Sequence, residues 1–77
     1  MELIGLLTFG EGEYRVYNEQ EGWACPFVVG DRAEVLLGGQ WQAVSMKSNG
    51  CGGHYLRLAD GRWLRPALRM QVRIAKM

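Results

Sequence analysis

The chain has 77 residues, 48% of them hydrophobic, with 9 Lys and Arg against 8 Asp and Glu. This composition excludes a disordered polyelectrolyte and leaves room for one small domain with a marginal core, here residues 1–77. No run of 18 apolar residues is present, so no transmembrane helix is expected.

The N-terminal stretch Met1-Glu2-Leu3-Ile4-Gly5-Leu6-Leu7 is apolar, but it carries an acid where a secretion signal needs a base. A cytoplasmic compartment is therefore expected, with no membrane partner. Two cysteines, Cys25 and Cys51, are too few for a disulfide framework, and reduced thiols are expected of both.

In chain order, Leu3 to Phe9 reads as a strand and Gly10-Glu11-Gly12 as a turn. Glu13 to Tyr17 alternates, with Tyr14 and Val16 on one face, and completes a hairpin. Asn18 to Pro26 is polar and reads as a loop, with Trp23 exposed in it. Phe27-Val28-Val29 is a short extended piece that runs into a Gly30-Asp31 turn. The next strand places Ala33, Val35 and Leu37 on one face and Arg32, Glu34 and Leu36 on the other.

Gly38-Gly39 suits a two-residue hairpin because such turns need positive φ. Trp41 to Met46 returns, with Trp41 expected in the core. Ser48 to Gly53 holds three glycines and is a flexible loop. His54 to Leu58 is a strand, Asp60-Gly61 a turn and Arg62 to Leu64 a short strand. After Pro66, Leu68, Met70, Val72 and Ile74 alternate with Arg69, Gln71 and Arg73, which predicts a strand with one wet side. One helical turn over 66–69 is the other reading of its start.

Many short strands and 11 glycines in so short a chain predict an all-β fold. The economical arrangement is a small, partly closed SH3-like barrel of five to seven short antiparallel strands, because closure removes open edges.

An ordered series of motifs supports this. Gly30-Asp31-x-x-Glu34-Val35, Gly39-x-Trp41, Tyr55-Leu56, Leu64-Arg65-Pro66 and Val72-Arg73-Ile74 follow an apolar N-terminal hairpin. In this the chain resembles a family of small bacterial domains of unknown function, found in phages, plasmids and integrated elements. The likeness runs from about Ile4 to Ile74. It departs at the glycine-rich loop 47–53, where relatives carry charge, and at Val28-Val29, where they are more polar. The resemblance implies a compact β-barrel domain of mobile-element origin. It implies no activity and no catalytic residues.

Charge is unevenly distributed. Residues 1–53 hold three Lys and Arg against seven Asp and Glu, a formal −4, whereas residues 54–77 hold six against one, a formal +5. The basic third points to an anionic partner, or else the acidic strands neutralise it across the sheet. Its candidate partner-binding residues are Arg57, Arg62, Arg65, Arg69 and Arg73 with Tyr55, and Trp63 lies among them. Arginine with aromatics serves both protein hot spots and phosphate backbones.

No catalytic, cofactor or metal site is predicted. Cys51-Gly-Gly-His54 has a zinc-like spacing but lacks the remaining ligands, and no orienting group makes it a nucleophile pair. Asn49 to Gly53 lacks the Lys-Ser/Thr pair of a phosphate-binding loop. The expected function is thus a non-enzymatic binding module acting on a protein partner, such as a host or defence machine. A nucleic-acid-binding accessory role is the alternative, and a self-associating homodimer a third reading.

Overall fold

The computed structural model describes residues 2–75. Its strands are β1 (Glu2–Gly10), β2 (Glu13–Asn18), β3 (Trp23–Pro26), β4 (Arg32–Leu37), β5 (Gln40–Ser48), β6 (His54–Leu58), β7 (Trp63–Leu64) and β8 (Gln71–Ala75). They make one antiparallel sheet in the order β3-β2-β1-β8-β4-β5-β6-β7. The all-β class agrees with the sequence. The strands number eight rather than five to seven, and the sheet is not hydrogen-bonded into a closed barrel.

Burial follows a period of two, as pleated strands require. Leu7, Val16, Ala33, Val35, Val44, Met46, Leu56, Leu58, Val72 and Ile74 all point to one side, and Phe27 joins them there. With no helix among the described residues to cover that side, the sheet must cover itself. Laid flat, eight strands would span about 34 Å in a single layer about 10 Å thick. The molecule measures 33 × 30 × 23 Å, and its smallest dimension is that of two layers.

The bend brings distant strands together, and the Tyr14 ring of β2 meets the His54 ring of β6 edge-on at 5.9 Å. Between β3 and β4 the chain crosses from one half of the sheet to the other. The Phe27 N–H donates to the Tyr14 carbonyl at 2.9 Å, and three residues on the Gly30 N–H donates to the Met46 carbonyl at 3.0 Å. The crossing buries Phe27 and leaves Val28 and Val29 half exposed, so the predicted extended piece is a bridge rather than a strand.

Glycine permits the close approach on which the bend depends. Gly5 is buried on β1, facing inward between Leu3 and Leu7, and a Cβ there would collide with the Tyr17 carbonyl of β2. At the β4–β5 hairpin, Gly38 and Gly39 both have positive φ, +57° and +81°, as a type I′ turn demands.

Three other expectations are corrected. The polar segment before Phe27 contains β3, an edge strand whose Trp23 and Cys25 pack on the core while Ala24 and Pro26 stay exposed. Proline is tolerated there because an edge strand has one unpaired side. Trp23 is therefore half-buried, and its Nε1–H donates to Glu21 at 2.8 Å. Trp41 is not core: it lies outward on β5, opposite Leu36.

The predicted C-terminal strand begins only at Gln71. Before it, the Met70 N–H donates to the Ala67 carbonyl at 3.2 Å with Arg69 at φ +72°, which is a type II turn and not a helical one. That turn leaves Leu68 60% exposed, although its spacing suggested core.

The contrast between two β1 glycines tests the packing argument. Gly5→Ala should cost about 1–3 kcal/mol of unfolding free energy by overpacking. Gly10→Ala, whose Cβ would meet nothing within 4 Å, should stay within about 0.5 kcal/mol of the parent. Urea denaturation of both variants measures the difference.

Candidate functional site

Register determines which outward side chains become neighbours. Arg57 of β6 stands directly opposite Trp63 of β7 and, on its other side, opposite Ser45 of β5. One step along the same outer face, Tyr55 stands opposite Lys47. Arg65 follows Leu64, whose side chain turns inward, so Trp63 and Arg65 both emerge outward. The Tyr55 and Trp63 rings meet edge-on at 6.3 Å. The result is a checkerboard in which each aromatic ring has a cation beside it along its strand and another across from it.

This face opens into a pocket of about 510 Å³ lined by Asn49, His54, Tyr55, Arg57, Trp63 and Arg65, with Gly61 at its edge. Its lining contains no carboxylate. Among the described residues no Asp or Glu makes an ion pair with Lys47, Arg57 or Arg65. Trp63 is 65% exposed, the most of any large hydrophobic side chain described.

Two loops hold the pocket's rims. In the β6–β7 connection, Asp60 accepts the Arg62 N–H at 2.9 Å and the Arg62 Nε–H at 2.7 Å, while the Leu58 N–H donates to the Arg62 carbonyl at 2.8 Å. These bonds set Trp63 against Arg57. They also hold the Asp60 carboxyl below the usual range, chiefly through the backbone N–H and then through the guanidinium.

In the glycine-rich β5–β6 loop, the Asn49 Oδ1 accepts the N–H groups of Cys51 at 2.7 Å and Gly53 at 3.0 Å, and Ser48 Oγ accepts that of Gly50 at 3.1 Å. The segment that reads as flexible is thus organised around one asparagine. The N–H groups of Gly50, Cys51 and Gly53 are spent on side chains of the loop itself.

Of the six predicted residues, the structure brings Tyr55, Arg57 and Arg65 together. Arg62 belongs to the turn and pairs with Asp60. Arg69 lies on the opposite side of the molecule, in the type II turn that bonds to Leu7 of β1, beside Tyr17, Asn18 and Glu19. Arg73 is in the middle of the sheet, where β8 pairs with β4, and its Nε–H donates to Glu34 at 2.9 Å. Its guanidinium also stacks 4.5 Å above the Trp41 ring. Cross-sheet neutralisation therefore operates at Arg73 but not at the pocket. Lys76, counted in the basic third, lies outside the described residues.

Asn49 and His54, weighed in the sequence only for phosphate or metal binding, line the pocket, and Lys47 is not among the predicted partner-binding residues. Lys47 was hidden because it belongs to the acidic part of the chain, and only the β5–β6 register carries it to the arginines. No disulfide joins Cys25, on β3, to Cys51, in the loop. Among the described residues no group of three His, Cys, Asp or Glu side chains could share a metal ion, and no helix is long and apolar enough to cross a membrane. No family model, curated protein or solved structure matches the chain.

The two kinds of arginine should behave differently on removal. Arg57→Ala and Arg65→Ala should leave stability within about 0.5 kcal/mol, whereas Arg73→Ala should lower the thermal midpoint by removing the partner of Glu34 and Trp41.

Acid should weaken the fold through the same pair. The Arg73 hydrogen bond holds the Glu34 carboxyl below its ordinary range, so the native state keeps it ionised where the unfolded chain begins to bind a proton. The stabilisation is complete above the ordinary glutamate pKa of about 4.3 and is lost as pH falls through the depressed native value. Glu34→Gln should be less stable at neutral pH and show a shallower loss between pH 5 and pH 2 (roughly the carboxylate range). Thermal midpoints across that range test this.

Proposed function

We propose that this chain is a non-enzymatic, nucleic-acid-binding accessory module that uses the outer face of β5, β6 and β7. The observation that carries the reading is the pocket in which Arg57 and Arg65, without acidic partners, surround exposed Trp63 and Tyr55. Phosphates supply the anions that such arginines lack, and bases or sugars supply surface for the rings.

From sequence alone a protein partner ranks ahead of nucleic acid, because the net charge is only +1. Segregation of charge reverses that order. What a ligand meets is the local field: no carboxylate lines the pocket, and three of the chain's carboxylates are engaged elsewhere, Glu34 with Arg73 and Glu11 and Glu13 with Arg15. In this reading the bent eight-stranded sheet is a variant of the SH3-like architecture, and the chain is a small cytoplasmic accessory protein of mobile-element origin. The protein-partner reading stands second, supported by the same exposed tryptophan beside arginine.

The test is binding of labelled total host RNA and sheared host DNA at low salt, followed by electrophoretic shift. Binding is expected for the parent and for Arg15→Ala, which removes one charge from β2, and loss is expected for the double variant Arg57→Glu/Arg65→Glu. Absence of binding to either nucleic acid would overturn the reading. A stoichiometric protein captured from nuclease-treated lysate, and lost with the same double variant, would put the protein reading in its place.

A further inference from the structure

The β5–β7 face is too small and too concave for a duplex. Its cations occupy three adjacent strands, about 10 Å across at the spacing of a sheet, and beyond them Arg62 and Arg73 are already paired with Asp60 and Glu34. Major-groove reading needs a protruding helix or ribbon, whereas this surface recedes into a pocket with Asn49 and His54 at one end and Gly61 at the other. The Trp63 ring is also largely uncovered by its surroundings. It is 65% exposed, and its one ring neighbour, Tyr55, lies at 74° to it, so much of the indole surface at the pocket is open to solvent. A paired, stacked base cannot reach such a ring, but an unpaired base can.

Spacing agrees with an extended strand. Trp63 and Arg57 form one cross-strand row, and the row of Lys47 and Tyr55 lies two residues away along β6. Continuing the β6–β7 register by two residues brings Arg65 to that second row. The rows are about 7 Å apart, and each pairs an aromatic ring with a cation. A ligand that alternates a planar group with a phosphate along its length matches this repeat. An acidic peptide would satisfy the cations and leave the indole bare.

We infer that the ligand is single-stranded nucleic acid, with one base stacked on Trp63 and the adjoining phosphates held by Arg57, Arg65 and Lys47. This rests on the nucleic-acid reading above and deepens it. Three phosphate contacts to a single strand imply that log K falls with log salt at a slope of about −2. No base-edge donor pattern is fixed in the pocket, so sequence preference should be weak.

The probe is a labelled oligothymidylate of about 12 nucleotides, within the range of site sizes of single OB-fold domains, alongside the matching oligouridylate and a mixed-sequence duplex of equal length. Fluorescence anisotropy is read with the parent protein, Trp63→Ala, Trp63→Phe, Arg57→Glu/Arg65→Glu and Arg15→Ala. Both single strands are expected to bind at least about tenfold more tightly than the duplex, and comparable affinities mean that the site does not read the 2′-hydroxyl. Trp63→Ala should weaken single-strand binding roughly tenfold, Trp63→Phe should restore much of it, and Arg15→Ala should stay close to the parent.

Equal binding of duplex and single strand, with no loss in Trp63→Ala, would overturn the single-strand inference while leaving the nucleic-acid reading intact. Binding of polyglutamate as tightly as either oligonucleotide, and unchanged in Trp63→Ala, would overturn both in favour of an acidic protein partner. Near-superposable circular dichroism spectra for the parent and Trp63→Ala would assign the loss to the indole rather than to unfolding.

Discussion

The whole fold depends on burying apolar side chains on one face of a sheet that, among the described residues, has no helix to cover it. Eleven buried hydrophobic side chains share a single core. Exposing that face would forfeit the main driving force of folding, and a chain of this length has little to spare. The sheet therefore turns over on itself, and the local oddities of the chain serve that turn. Gly5 lets the end of β2 approach β1, and the Phe27–Gly30 bridge carries the backbone between halves. Tyr14 and His54 meet where the halves close together.

The same curvature sorts the charges. At the middle of the sheet, where β8 lies between β1 and β4, outward side chains have neighbours on both sides. Arg73 finds Glu34 and Trp41 there. Towards the β7 edge the neighbours are other cations and aromatic rings, because β5, β6 and β7 place Lys47, Arg57 and Trp63 on adjoining strands. The same charge type is thus paired at the centre and left without an acidic partner at the edge. Both edges are short, β7 with two residues and β3 with four ending in proline, which blunts the tendency of open sheets to pair with one another.

The turns that frame the pocket build in rigidity by local means. Asp60 and Asn49 each accept two hydrogen bonds from residues two to four positions further on. Such short-range bonds need no tertiary support to form. They hold the rims of the pocket in place by themselves.

Much of this was legible in the sequence. The all-β class, the two hairpins with Gly12 and Gly38-Gly39, and the inward set Ala33, Val35 and Leu37 all follow from period-two patterning and turn chemistry, which act between neighbours in the chain. Tyr55, Arg57 and Arg65 could be picked as candidates for the same reason, since they alternate with inward leucines. The fate of the other three arginines could not. Whether a cation is neutralised depends on the strand beside it, and β8 pairs with β1 and β4, far away in sequence. Strand β3 was hidden by its polar surroundings, Leu68 was misread because a type II turn interrupts its alternation, and Lys47 was masked by the acidic segment that contains it. For Arg73 and Lys47 pairing between strands decided what local pattern left open: composition and periodicity determine which face a residue occupies, but only the register of the folded sheet determines what it stands beside.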